Sequence, residues 1–120
     1  MIINTENEEI RVWVTQIRKG IAELCVLACL REGEAYGYEL LRRLKSHQFL
    51  SVTEGTLYPI LNRAAESGWV ALEHRASVTG PPRRYYSLTA AGFRRLNSMI
   101  AAWADIGASV EELLNKSGGI

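Results

Sequence analysis

The chain has 120 residues, a net charge of +1 and two cysteines. That length suits one domain with a real core, small enough for a second subunit to supply part of its burial. No apolar run approaches the roughly 20 residues that span a bilayer, and the N-terminus lacks the basic-then-apolar pattern of a secretory leader, so a soluble, cytoplasmic protein without a membrane partner is expected.

The small net charge conceals a division. Residues 40 to 95 carry nine Lys/Arg against three acids, a balance of +6, whereas the rest of the chain stands at −5. A positive middle framed by acidic ends points to a polyanion as partner.

A first helix is predicted from about Glu6 to Glu32. Thr5 followed by Glu8 has the spacing of a capping box, and Val14, Ile17, Ile21, Leu24 and Ala28 repeat at alternating steps of three and four. Ile10, Trp13, Leu27 and Leu30 widen that stripe beyond what one packed side requires. Gly33 is the expected stop. Within this run Cys25 and Cys29 are four apart, with His47 and His74 distant in sequence, which reads as buried small apolar residues in a reducing compartment rather than a disulfide or metal pair.

A second, shorter helix covers about Tyr36 to Ser46, with Leu40, Leu41 and Leu44 inward and Arg42, Arg43 and Lys45 outward. After a link at residues 47–52 comes a third, in which Leu57, Ile60, Leu61, Ala64 and Ala65 form one packed face. Thr56, Tyr58, Pro59, Asn62 and Arg63 are left on the other. Thr53 is the expected N-cap and Ser67-Gly68 the stop. Pro59 lacks the N–H that would bond to the carbonyl of Gly55, so the first turn is expected to stand slightly apart. Taken alone this is an ordinary amphipathic core helix; following a short basic helix, it is the second element of a helix-turn-helix.

After Gly68 the period falls to two. Residues 69–75 and 83–89 read as strands joined by Ala76-Ser77-Val78-Thr79-Gly80-Pro81-Pro82, with Val70, Leu72, Tyr86 and Leu88 on the packed face. Two prolines followed by Arg83 and Arg84 make a stiff cationic wing. The last helix follows Thr89 and runs to about Asn115. Phe93, Leu96, Ile100, Trp103, Gly107, Val110 and Leu114 mark a heptad seam, broadened by Met99, Ile106 and Leu113. A helix of that length is roughly 37 Å long, too long for the domain to cover alone. A homodimer that buries this seam together with part of the first helix is therefore expected, with residues 117–120 as a tail.

The expected fold is mainly α with a small β-hairpin: a winged helix-turn-helix over residues 1–89 whose long N-terminal helix also serves the dimer, and a C-terminal dimerisation helix over 90–116. No Ser/His/Asp set, phosphate loop or metal cluster occurs, which excludes an enzyme on motif grounds and implies no cofactor or metal. A winged helix that binds protein rather than DNA is the rival reading.

Four segments, in order, resemble the PadR family of bacterial transcriptional regulators over nearly the whole chain: Arg18-Lys19-Gly20 with Glu23-Leu24; Tyr36-Gly37-Tyr38-Glu39-Leu40; Glu54-Gly55-Thr56-Leu57-Tyr58-Pro59-Ile60-Leu61; and Gly80-Pro81-Pro82-Arg83-Arg84-Tyr85-Tyr86 with Leu88-Thr89-Ala90-Ala91-Gly92. Ala64-Ala65 departs from the pattern, since members more often carry a leucine there. The resemblance implies a dimeric repressor on a palindromic double-stranded DNA operator, ligand-responsive through a small aromatic or cationic effector. The expected DNA-binding residues are Tyr36, Thr53, Glu54, Gly55, Thr56, Tyr58, Pro59, Asn62, Arg63, Thr79, Gly80, Arg83 and Arg84. An effector pocket in the dimer would be lined by Trp13, Met99, Ile100 and Trp103.

Overall fold

A computed structural model describes residues 7–118 of the chain. In order the elements are α1 (Glu8–Leu30), β1 (Ala35–Tyr36), α2 (Gly37–Lys45), α3 (Glu54–Glu66), β2 (Val70–Arg75), β3 (Arg83–Leu88) and α4 (Ala90–Gly118). They form a winged helix-turn-helix with a long helix at each end, 61 Å in its longest dimension.

The capping box expected at Thr5 lies outside the described residues. The residue that caps α1 is Asn7, whose Oδ1 accepts a hydrogen bond from the N–H of Glu9 at 2.8 Å. At the other end Gly33 takes φ +133°, a conformation costly for any residue with a Cβ, and turns the chain into β1.

The sheet is three-stranded and antiparallel, in the order β1-β3-β2. Periodicity did not reveal β1, because two residues carry no period; Ala35 pairs with Tyr86 and Tyr36 with Tyr85. Pairing of Val70 with Leu88 through Arg75 with Arg83 sets the hairpin register. Val70 and Tyr86 are buried as expected, but Leu72 is 41% exposed although it pairs with Tyr86. Tyr86 lies in the central strand, flanked on both sides, whereas Leu72 is on an edge strand with no neighbour beyond it.

One core joins all the helices: Val26, Leu27 and Leu30 of α1, Leu40 and Leu44 of α2, Leu57 and Leu61 of α3, and Leu96 of α4 are at most 2% exposed. Ala64, in the pair where family members more often carry a leucine, is buried at 1% on the packed face expected of it. Arg18 and Arg43 tie the framework together, Arg18 donating to the carbonyl of Phe49 at 2.8 Å and Arg43 to that of Cys29 at 3.1 Å.

The base of α4 is fixed to the turn after α3. Thr89 Oγ1 accepts from the N–H of Gly92 and donates to the carbonyl of Gly68, so it caps the helix and staples it. Gly92 packs so closely that a Cβ there would fall on the carbonyl oxygen of Trp69. Arg95 lies over the Trp69 ring at 4.2 Å and pairs with Glu23 of α1 at 2.9 Å. Beyond this base α4 leaves the body, and it remains helical through Gly118, two residues into the segment expected to be a tail.

Candidate nucleic-acid interface

Helix α3 buries Leu57, Ile60, Leu61 and Ala64 and turns Thr53, Glu54, Gly55, Pro59, Asn62 and Arg63 outward. Pro59 does not separate the first turn, since α3 is one helix from Glu54 to Glu66; Pro59 is exposed, with the Gly55 carbonyl one turn back. Thr53 occupies the N-cap position, but its hydroxyl makes no cap bond to the backbone and donates instead to Thr56 Oγ1 at 3.4 Å. Two hydroxyls therefore cluster at the positive end of the helix. A Cβ on Gly55 would meet only Thr53 Oγ1 at 3.7 Å, so the chain itself has no steric need for glycine there.

Tyr58, expected on the outer face, is half-buried. Its ring packs under the start of α2, where a Cβ on Gly37 would fall on the phenol oxygen and stand 2.8 Å from Cζ. Burial, then the neighbouring Tyr86 and Glu54, push its phenol above the ordinary tyrosine range, while Arg84 pulls it down. The phenol is therefore protonated at neutral pH. Tyr86, beside it, buries its own hydroxyl without a hydrogen-bond partner among the described residues.

The wing reaches the same place from the other side. Arg83 stacks over the Tyr36 ring at 4.5 Å, and Tyr36 meets Tyr85 edge-on at 5.5 Å. The backbone N–H of Tyr36 donates to Glu39 at 3.1 Å, which fixes the start of α2. Tyr36, Gly37, Tyr38, Tyr58, Pro82, Arg83 and Arg84 thus line one open cleft of about 400 Å³. Residues far apart in sequence meet here because β1 adds to the wing.

Arg75, the other wing arginine, is committed elsewhere: it makes a two-pronged bond to Glu34 at 2.6 and 2.7 Å, bonds Glu73 at 2.9 Å, and covers Tyr85. It holds the Glu73 carboxyl below the usual range. Arg75 braces the root of the wing and leaves Arg83 and Arg84 as its exposed cations.

Thr53 and Thr56 line a second cleft, of about 330 Å³, with Thr15, Arg18, Lys19, Ser51 and Val52. Lys19 is an exposed cation beside the α3 N-terminus that the sequence reading did not place at the site; its signal was its position in the Arg18-Lys19-Gly20 segment. Arg63 is not gathered with these groups. It lines a cleft at the far end of α3 with Glu23 and Trp69. Asn62 is exposed on α3, and Thr79 and Gly80 are exposed at the wing tip.

Outside these clefts Trp103, Ile106, Val110, Leu113 and Leu114 of α4 are 47–67% exposed, as are Ile10, Val12, Trp13 and Ile17 of α1 at 38–58%. Of the expected seam Leu96 alone is closed in the core, and Met99 packs against it; Phe93 and Ile100 are 43% and 37% exposed. Soluble monomers seldom leave so many large apolar side chains open on two helices.

Residues 26–98 match the family model for the transcriptional regulator PadR-like family. The chain belongs to that family. A PadR-family regulator of Eggerthella lenta has a similar structure, with a TM-score of 0.82 and 34% identity over 89% of this chain and 93% of that one. Bacillus subtilis PadR, solved in complex with operator DNA, superposes with a TM-score of 0.63 at 26% identity, over 67% of this chain and 45% of that one. Among curated PadR relatives, the negative transcriptional regulator PadR of B. subtilis is 24% identical over 94 residues, and this chain spans only 52% of its length. A transcriptional regulator of Mycobacterium tuberculosis is 34% identical over 77 residues, 64% of this chain and 70% of the relative. These PadR-family relatives are regulators of transcription rather than enzymes. Among the described residues of this member, no helix is long and apolar enough to cross a membrane and no group of three or more His, Cys, Asp or Glu gathers as a metal site.

Proposed function

We propose that this PadR-family regulator is a homodimeric repressor that binds a palindromic operator through α3 and the wing, and that a small aromatic or cationic effector releases it. The observation that carries the reading is the convergence of Tyr36, Tyr58, Arg83 and Arg84 in one cationic cleft beside the exposed first turn of α3. Residues 1–89 act as the DNA-binding unit and 90–116 as the dimerisation helix.

In this reading Arg83, Arg84, Thr79 and Gly80 hold the wing on the DNA backbone, and the Tyr36 phenol donates to a phosphate near the start of α2. Thr53 and Thr56 offer hydroxyls at the positive end of α3, where phosphate oxygens are favoured. Gly55, free of any internal steric demand for glycine, lets the duplex approach the backbone. Glu54, Pro59, Asn62 and Arg63 shape or read the groove beyond, with Asn62 and Arg63 able to make paired bonds to base edges. Two copies would set their α3 helices about 34 Å apart, one turn of duplex. The exposed apolar faces of α1 and α4 become the dimer interface, and Trp13, Met99, Ile100 and Trp103 offer flat surfaces for an effector between subunits.

The deciding experiment mixes the protein with duplex DNA from upstream of its own gene at moderate salt. Retention of a dimer on one short palindromic segment, competed poorly by random duplex, supports the reading. Equal binding to all sequences overturns it, and no binding overturns it in favour of a protein-binding winged helix.

A further inference from the structure

We propose that Cys25 and Cys29 form a two-sulfur site for a soft, thiophilic metal or metalloid ion, entered from the cleft between α1 and α2.

Both thiols were expected to be closed in the core, and they are not. Their α1 neighbours Val26, Leu27 and Leu30 are 0–2% exposed, whereas Cys25 and Cys29 are free, only half-buried, and line an open cleft of about 520 Å³. Leu24, Ala28, Leu44 and Leu50 make that cleft apolar, and Arg43 and His47 add polar groups.

Spacing sets what such a pair can hold. Positions four apart on a helix lie on one face with Cβ atoms about 5–6 Å apart. A linear ion with sulfur bonds of about 2.3 Å needs its sulfurs about 4.6 Å apart, within reach of two thiols that turn toward each other. A direct disulfide needs Cβ atoms about 3.8 Å apart, which this spacing does not give without unwinding α1. No third His, Cys, Asp or Glu completes a group among the described residues, so the site suits ions satisfied by two sulfurs rather than a four-coordinate zinc.

Burial pushes both thiols up, and at Cys29 the Arg43 guanidinium opposes the rise. The thiols therefore resist simple oxidation while a soft ion can displace their protons, releasing two as two sulfur bonds form. The site uses α1, the end of α2 and the link after it, and stands whether or not the chain binds DNA.

Mercuric ion, which takes two thiolates in line, tests it without DNA. Each thiol gives up a proton to solvent and two mercury–sulfur bonds form. The expected result is one adduct per chain by intact mass, within which a maleimide labels neither cysteine and from which a small dithiol releases both thiols. Cys25→Ala and Cys29→Ala should each weaken binding roughly 100-fold or more, since the second bond is intramolecular. Absence of an adduct on the parent, a cysteine still labelled within it, or a folded single variant with parental affinity would each overturn the proposal.

Discussion

The Tyr58 ring fits beneath Gly37 at a distance that admits no Cβ on residue 37. This contact sets the start of α2 against α3, so it positions the two helices that the proposed DNA contact requires. Gly37→Ala must swing a phenol rather than move backbone, which costs about 1–3 kcal/mol of stability. Because the displaced ring belongs to the cationic cleft, operator affinity should fall further than stability does. Thermal unfolding and titration with duplex separate the two; unchanged affinity in a folded Gly37→Ala protein removes the positioning role.

Gly92 is also closed to a Cβ, but its obstacle is the carbonyl of Trp69, which cannot rotate away as a side chain can. Gly92→Ala is therefore expected to destabilise more than Gly37→Ala, at or above the upper end of about 1–3 kcal/mol, despite alanine's better helix propensity. Denaturant midpoints of the two variants decide the order.

Arg83, which lies over the Tyr36 ring, and Arg84 are exposed cations of the wing, while Arg75 is held by Glu34 and Glu73. Removing both should weaken specific and random duplexes alike and reduce the salt slope of log K by about 1.8, the effect of two phosphate contacts. Glu34→Gln should act differently: it loosens the wing root and lowers affinity with little change in slope. A parental slope in the double arginine variant would remove the wing from the interface.

Ile106 and Val110 are 56% and 47% exposed on α4, beyond the part packed on Leu96. Ile106→Glu with Val110→Glu is expected to leave a folded monomer by light scattering, because the charges would have to enter the seam without partners. Operator affinity should collapse with it, since one half-site is then bound alone. A dimer that survives both changes would put the interface elsewhere.

Trp103 stands at the centre of that open face. Flat hydrophobic dyes should quench tryptophan fluorescence of the parent and lose most of this effect in Trp103→Ala. No response in the parent would leave Trp103 as packing only.

The long helices were legible because each repeats an apolar stripe over several turns, and the stripe's excess on α1 and α4 already signalled a surface larger than one chain covers. The wing was legible for another reason: alternation in residues 70–75 and 83–88 is interrupted by Gly80-Pro81-Pro82, which permits little but a turn. The site was less so. Sequence put Tyr58 outward by helical angle, but the missing side chain of Gly37 makes room to draw it under α2. Strand β1 was hidden by its brevity, and with it the means by which Tyr36 meets Arg83.

What the sequence determined by itself was local: where helices start and stop, which face of each is apolar, and where positive charge is concentrated. Tertiary structure alone decided which charges remain available. Arg18, Arg75 and Arg95 look identical to Arg83 and Arg84 in a charge count, yet the first three are bound to Phe49, Glu34 and Glu23. Those partners lie 31 to 72 residues away along the chain. No local period encodes such a pairing, because it exists only once the core has brought α1, the wing and α4 together.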